Sequence, residues 1–190
     1  MDNLNIINLC LDKGVHYRVM LNYFSRLRNT FILSAIVFGI GLIIGVMIIF
    51  STSPQMEEAA ELQRTYKAGW YSVYSIFLNN ILVCLVLMLG LFTFGIPTFI
   101  YLLFNGISIG AGLTHLILSD QPLLNIFLKV IPHGIFEIPF FLLAGAIGFL
   151  GFTFYFNRKY GLKFLLKHVV MVIIGILLAS IVEGLITLNL

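Results

Sequence analysis

A few ionisable side chains interrupt otherwise apolar stretches of this chain, and His133 and Glu137 are the two whose spacing suggests chemistry. They are four residues apart, so on a helix they share one face. An imidazole beside a carboxyl can transfer a proton, bind a substrate or act as acid and base. The same pair could instead be a hydrogen-bonded staple at a helix start, because Pro132 suits the first position of a helix.

Further polar side chains fall at comparable depths in other apolar stretches. Lipid cannot satisfy such groups, so they should face one another. The sequence therefore predicts one polar cluster in the outer half of a helix bundle, formed by Asn79, Asn80, Asn105, His115, His133, Glu137 and Glu183. The asparagines favour hydrogen bonding between helices. The candidates for a catalytic role are His133, Glu137 and Glu183.

A metal site is the weaker interpretation of the same residues. Zinc needs three or four ligands, which His115, His133, Glu137 and Glu183 supply only if the third and fifth spans adjoin the fourth. The spacing is not that of a zinc protease, and no phosphate-binding loop or dinucleotide fingerprint occurs. We therefore expect no metal and no cofactor.

Composition places these residues in a membrane protein. Of 190 residues, 60% are apolar and 10% are charged, whereas about 25% of a soluble domain is charged. A net charge of +3 is too small to indicate nucleic-acid binding. Cys10 and Cys84 are too few for a disulfide framework.

The apolar runs predict an all-α polytopic membrane bundle of about five transmembrane helices with short amphipathic interfacial helices. Residues 1–30 are expected to form a cytoplasmic amphipathic segment and residues 31–190 the five-span domain. The predicted spans are 31–50, 71–92, 98–118, 133–156 and 168–188, with a break between the second and third at Gly95 and Pro97. Asn105-Gly106 predicts a local opening of the third helix. Residues 3–23, 55–67 and 123–131 are the expected interfacial helices.

Basic residues give the expected orientation. Eight of the eleven lysines and arginines lie before the first span or between the fourth and fifth. The positive-inside rule then predicts a multi-pass protein with a cytoplasmic N-terminus and an extracytoplasmic C-terminus. Tyr23 is expected in the inner aromatic belt, and Trp70, Tyr71 and Tyr74 in the outer one.

At these polar positions the chain resembles the stage II sporulation protein M family over roughly residues 20–188. The matching elements are Asn79-Asn80, Asn105-Gly106 with Gly110, the run from Pro132 to Glu137, and the run from Ala179 to Thr187. The resemblance implies a five-span protein of the bacterial plasma membrane without a large soluble domain. Sporulation members of the family act with two partner proteins in cell-wall remodelling during engulfment, as membrane scaffold. Other members resemble membrane proteins encoded beside circular bacteriocins and are implicated in bacteriocin maturation, export or immunity.

Three functions follow as hypotheses. The leading one is a non-enzymatic membrane component that scaffolds partners in cell-envelope remodelling or peptide export. The second is a membrane-embedded peptide-processing enzyme, for example in cyclisation of a hydrophobic bacteriocin, which would use His133, Glu137 and Glu183. The third is a small transporter or immunity protein. The expected partners are the lipid bilayer and other membrane or envelope proteins. A hydrophobic peptide, a transport ATPase and a homo-oligomer are left open, and nucleic acid is excluded.

Overall fold

A computed structural model describes residues 2–51, 69–118, 136–151 and 162–185, with side chains from residue 20 in the first range and from residue 164 in the last. All regular structure in these ranges is helical. The helices are α1 (Asp2–Ser51), α2 (Trp70–Leu89), α3 (Ile96–Leu118), α4 (Ile138–Phe149) and α5 (Leu162–Leu185). This arrangement confirms the predicted all-α membrane bundle.

Four of these helices are long and apolar enough to cross a bilayer. The segments are Met20–Ser51, Trp70–Leu89, Ile96–Leu118 and Phe164–Leu185. The fifth helix, α4, has 12 residues and is about 18 Å long, which is less than the roughly 30 Å of a hydrocarbon core. The rest of the predicted fourth span, residues 133–135 and 152–156, lies outside the described ranges, as do the expected interfacial helices at 55–67 and 123–131.

The first helix is a single element. Its backbone is helical from Asp2 to Ser51, without a break at residue 30, where the sequence separated an amphipathic segment from the first span. Inward-facing positions also continue below that boundary, because Tyr23 and Leu27 are buried in the same core as Val37. Part of the expected cytoplasmic segment therefore belongs to the helix that packs into the bundle.

The short helix α4 lies in the middle of the bundle. Its residues 143–149 are all buried, and α4 contacts each of the other four helices. A helix that is apolar on every side suits a position surrounded by protein. The packing core therefore forms around α4, with α1, α2, α3 and α5 against it.

Glycines let α1 and α3 approach each other backbone to backbone. A side chain at Gly41 or Gly45 would collide with the carbonyl of Leu103 or Ile107 on α3. In return, a side chain at Gly106 or Gly110 would collide with carbonyls of α1. Both helices thus present a small-residue surface of the GxxxG type to the other.

This contact corrects one prediction about α3. The helix is continuous from Ile96 to Leu118, so the predicted opening at Asn105-Gly106 was wrong. The physical reason is that Gly106 packs against Phe38 of α1, while the Asn105 amide donates to the Tyr101 carbonyl of its own helix at 2.7 Å.

The turn between α2 and α3 covers residues 90–95, where Gly95 and Pro97 predicted a break. Gly95 has a φ of 78°, which glycine adopts readily, and its N–H donates to the Gly90 carbonyl at 2.8 Å. Beyond the turn, the Thr98 hydroxyl donates to the Leu87 carbonyl at 2.7 Å. The turn and this hydrogen bond fix α2 and α3 side by side.

Two neighbouring glycines of α3 provide a test of the α1–α3 contact. A Cβ at Gly110 would meet the Leu42 carbonyl, whereas one at Gly112 would meet nothing within 4 Å. We expect Gly110→Ala to destabilise the protein by about 1–3 kcal/mol through overpacking. Gly112→Ala should be neutral or stabilising by up to about 1 kcal/mol, because alanine has the higher helix propensity. Thermal unfolding in detergent measures both, and equal effects of the two substitutions would contradict the packing described.

Candidate functional site

A buried polar contact in the described bundle joins Glu137 to Asn80. Glu137 lies in a wide, π-type turn at residues 136–137, immediately before α4. Its side chain is 0% exposed and that of Asn80 is 5% exposed. The Asn80 Nδ2 amide donates to Glu137 Oε1 at 2.5 Å. A carboxyl and an amide from two different helices therefore meet inside the protein.

The position of Asn80 follows from the inward face of α2. Ile76, Asn80, Cys84 and Leu87 are buried at intervals of three and four residues, which is one face of a helix. Asn80 is ten residues from Trp70, or about 15 Å along the axis. The carboxyl contact thus lies near the middle of a helix that is long enough to cross the bilayer.

The position of Glu137 follows from how α4 packs on α2. The two helices run in the same direction, because Glu137 lies beside Asn80 and Gly148 lies beside Leu87, where a side chain would collide with the Leu87 carbonyl. Pro139 occupies the first turn of α4, where a missing N–H is tolerated. Glu137 occupies the N-cap position but makes no capping bond with its side chain; its Oε1 accepts from α2 instead.

Two effects offset the cost of burying this carboxyl. A buried carboxylate is unfavourable unless hydrogen bonds or opposite charge compensate it. The Asn80 amide supplies a hydrogen bond, and the N-terminal end of α4 adds the positive end of a helix dipole. With no exposed surface, the Glu137 side chain joins the start of α4 to α2.

Three residues of the predicted cluster do not contact Glu137 in the hydrogen bonds described above. Asn79 is exposed on α2, and its Nδ2 is 3.5 Å from Asn80 Oδ1. Asn105 is half-buried and bonded within its own helix, and His115 is exposed in the last turn of α3. Of the seven residues of the predicted cluster, the described structure brings Asn80 and Glu137 into close contact. His133 lies outside the described residues.

Glu183 is half-buried in the last turn of α5, at the end of the bundle where α2 begins. The next residue, Gly184, accepts a hydrogen bond from the Gly69 N–H at 3.1 Å, and a side chain at Gly184 would crowd Val73. Val73 is seven residues from Asn80, or about 10 Å along α2. Glu183 is therefore displaced from the Asn80–Glu137 contact along the bundle axis.

Within the described ranges, no three His, Cys, Asp or Glu side chains come together in a way that could hold a metal ion. Cys84, one turn from Asn80, is fully buried and not in a disulfide.

A second buried polar contact, which the sequence did not predict, lies towards the opposite end. Tyr23, which was expected in the inner aromatic belt, is buried in the bundle, and its hydroxyl is 3.1 Å from His168 Nδ1. The same nitrogen is 2.8 Å from the Phe164 carbonyl. A carbonyl only accepts, so the contact with Phe164 is a hydrogen bond in the tautomer that carries hydrogen on Nδ1, and in that tautomer the Tyr23 oxygen accepts from the same N–H. The continuation of inward spacing from Val37 back to Leu27 and Tyr23 is the signal that could have revealed it.

These features define a polytopic helical membrane protein whose helices are joined by buried polar contacts. The sequence model of the family described as stage II sporulation protein M matches residues 34–188. The chain therefore belongs to the stage II sporulation protein M family, and Asn80 and Glu137 both lie within the matched range.

A similar curated protein is an uncharacterised protein of the archaeon Methanocaldococcus jannaschii. It is 34% identical over 118 residues, which are 62% of this chain and 65% of the archaeal protein. The match thus spans slightly less than two thirds of the relative's length. No solved structure gives a significant match to the chain.

The Asn80–Glu137 contact predicts a graded set of stability changes. Asn80→Leu removes the donor from a buried carboxyl, and we expect a loss of about 1–3 kcal/mol. Glu137→Gln retains an oxygen that accepts from Asn80 and should cost less. Combining Asn80→Leu with Glu137→Met removes both partners and should recover part of the loss.

The matched control is Asn79→Leu on the exposed face of the same helix, which should change stability by about 0.5 kcal/mol or less. Unfolding in detergent, at dilutions where the chain is monomeric, measures all four variants. Equal losses for Asn79→Leu and Asn80→Leu would show that the buried contact is not what stabilises the bundle.

Proposed function

We propose that this protein is a non-enzymatic membrane component of the bacterial plasma membrane that scaffolds partner proteins in cell-envelope remodelling or peptide export. The observation that carries the proposal is the enclosure of the Asn80–Glu137 contact, with Glu137 0% exposed. Its polar groups are used to fix one helix against another. A rigid bundle with this kind of interior suits a protein that presents surfaces to partners.

The glycine contacts support the same proposal. Helices that touch backbone to backbone, as α1 and α3 do at Gly41 and Gly106, leave little room for the rearrangement that a transport cycle needs. A peptide-processing enzyme would need Glu137 to reach a substrate amide, and its burial favours the scaffold over that role. His133 and Glu183 remain proposed participants only in the enzymatic alternative.

The orientation is part of the proposal. The Tyr23–His168 contact brings the start of the apolar segment Met20–Ser51 of α1 together with the beginning of α5. Arg26 and Arg28 on α1 and Lys167 on α5 are close to that contact in sequence, so basic residues gather at this end. The positive-inside rule supports placing it in the cytoplasm. The Gly69–Gly184 hydrogen bond puts the start of α2 and the end of α5 at the other end, which would be extracytoplasmic.

Reporter fusions test this orientation. We expect alkaline phosphatase to be active when joined after residue 188 or inserted between residues 52 and 68, because both sites follow helix ends at the outer surface. A green fluorescent protein at the N-terminus should fluoresce. Active phosphatase at the N-terminus, together with inactive fusions at the other two sites, would reverse the orientation.

Glu137→Gln separates the scaffold from the enzyme. The substitution keeps shape and an acceptor oxygen, so a scaffold should retain its partners, whereas an enzyme that uses Glu137 as acid or base would lose about 10²–10⁴-fold in rate. The measurement is the partner-to-chain ratio, by quantitative mass spectrometry after cross-linking in native membranes. The control for folding is a cooperative thermal unfolding transition of the variant in detergent, above the temperature of the assay. The proposal fails if the wild-type chain recovers no partner at a fixed ratio, or if Glu137→Gln abolishes processing of a hydrophobic precursor peptide while the fold is intact.

A further inference from the structure

The face of α2 that points away from the bundle has a regular pattern. Large exposed side chains occur along it at Tyr71, Leu78, Leu82, Leu85 and Leu89. With Ser75 between the first two, the intervals are four, three, four, three and four residues. This is the heptad spacing of helices that pack as a coiled coil. Leucines that face lipid are ordinary in a membrane helix, so the pattern alone does not indicate a partner.

Two polar side chains lie beside this row of exposed side chains (Tyr71, Leu78, Leu82, Leu85 and Leu89), which we call the leucine stripe. They indicate that the stripe packs against another helix. Asn79 is exposed nine residues from Trp70, or about 14 Å along α2. Its amide has one hydrogen bond with the described residues, at 3.5 Å to Asn80, which is at the weak limit. An amide exposed at this depth favours association with another helix, because lipid offers it no hydrogen bond. Tyr74, five residues earlier, is also exposed, at 60%.

We propose that a second copy of this chain packs along the leucine stripe of α2, with Asn79 hydrogen-bonded to Tyr74 of the other copy. Both copies have the same orientation in the membrane, so their α2 helices run parallel. In a parallel two-stranded coil, the residue that flanks one side of the seam faces the partner residue five positions later. Tyr74 and Asn79 have that separation and lie on opposite sides of the stripe.

A second copy of the chain is the partner that fits this face of α2, because the face is complementary to itself. The Tyr74 hydroxyl donates and the Asn79 amide oxygen accepts, and a twofold axis along the stripe repeats this bond twice. One helix thus supplies the donor, the acceptor and the apolar seam. The dimer goes beyond the proposed scaffold role, since it concerns α2 alone and does not depend on which partners the protein holds.

Disulfide cross-linking maps the seam. In a background with Cys10→Ser and Cys84→Ala, single cysteines replace Leu78, Leu82 or Leu85, and oxidation is carried out in native membranes. We expect covalent dimers from these positions. The controls are cysteines at Phe104 on α3 and Leu178 on α5, which are at least as exposed as Leu78 and Leu85 and should give monomers. Cross-linking as strong at the controls as along α2, or to a different protein instead, would overturn the proposal.

The polar bonds are tested by dimer affinity in liposomes, measured by energy transfer between labelled chains over a range of lipid-to-protein ratios. Asn79→Leu and Tyr74→Phe should each weaken the dimer by roughly tenfold, because each removes both symmetric hydrogen bonds. The dimer of the double variant should be no weaker than the dimer of either single variant, because each single substitution already removes both hydrogen bonds.

Controls for this measurement lie on α3. Asn105→Leu and Tyr101→Phe remove the same chemical groups away from the leucine stripe and should leave the affinity unchanged. Thermal stability of each monomer in detergent verifies folding. If the Cys84→Ala background used for cross-linking does not fold, Cys84→Ser replaces it. A chain that stays monomeric at every ratio, or a dimer indifferent to Asn79 and Tyr74, would overturn the proposal.

Discussion

Helices inside a bilayer gain no stability by hiding apolar side chains from one another, because lipid is as apolar as leucine. The bundle therefore depends on how closely its backbones approach. The GxxxG surfaces of α1 and α3 meet with no side chain between them, and Gly148 of α4 has the same relation to the Leu87 carbonyl of α2. Close approach increases dispersion contacts along the whole helix, and it also determines which polar groups come within hydrogen-bonding distance of each other.

Polar side chains in the described interior fall into two groups. Ser34, Thr114 and Ser180 donate to carbonyls four residues earlier in their own helices, so they are satisfied without a neighbour and specify no partner helix. Asn80, Thr98 and Tyr23 instead reach another helix or the far side of a turn. These contacts require one axial position of each helix against the next, and a slip by one turn would break them. The second group therefore fixes the axial position of each helix against its neighbour, which dispersion contacts alone would not determine.

The sequence predicted the helical bundle and the turn at Gly95, since long apolar runs and a glycine–proline interruption have few other interpretations. It could not decide which of two adjacent asparagines faces inward. Neighbouring residues on a helix are about 100° apart, and α2 is apolar on nearly every side, so hydrophobicity does not mark its inner face. Packing against α4 decides it: Asn80 turns towards Glu137 and Asn79 towards the outside. Tyr23 was expected in the inner aromatic belt, and the sequence did not show that it is also an inward-facing position of α1, in the same core as Leu27 and Val37.

The adjacent residues Asn79 and Asn80 place one amide of α2 inside the bundle and the other on its outer face. The Asn80 amide is committed to Glu137 through its Nδ2, and its oxygen lies at the long limit of a hydrogen bond from Asn79. This arrangement leaves the Asn79 oxygen as an acceptor for another chain, because an amide has both donors and an acceptor and the contact with Asn80 uses a donor. If Asn79 stabilised the monomer, it would be expected to face inward with Asn80. Its exposure at mid-helix, next to a regular row of leucines, is instead what a surface for helix association requires.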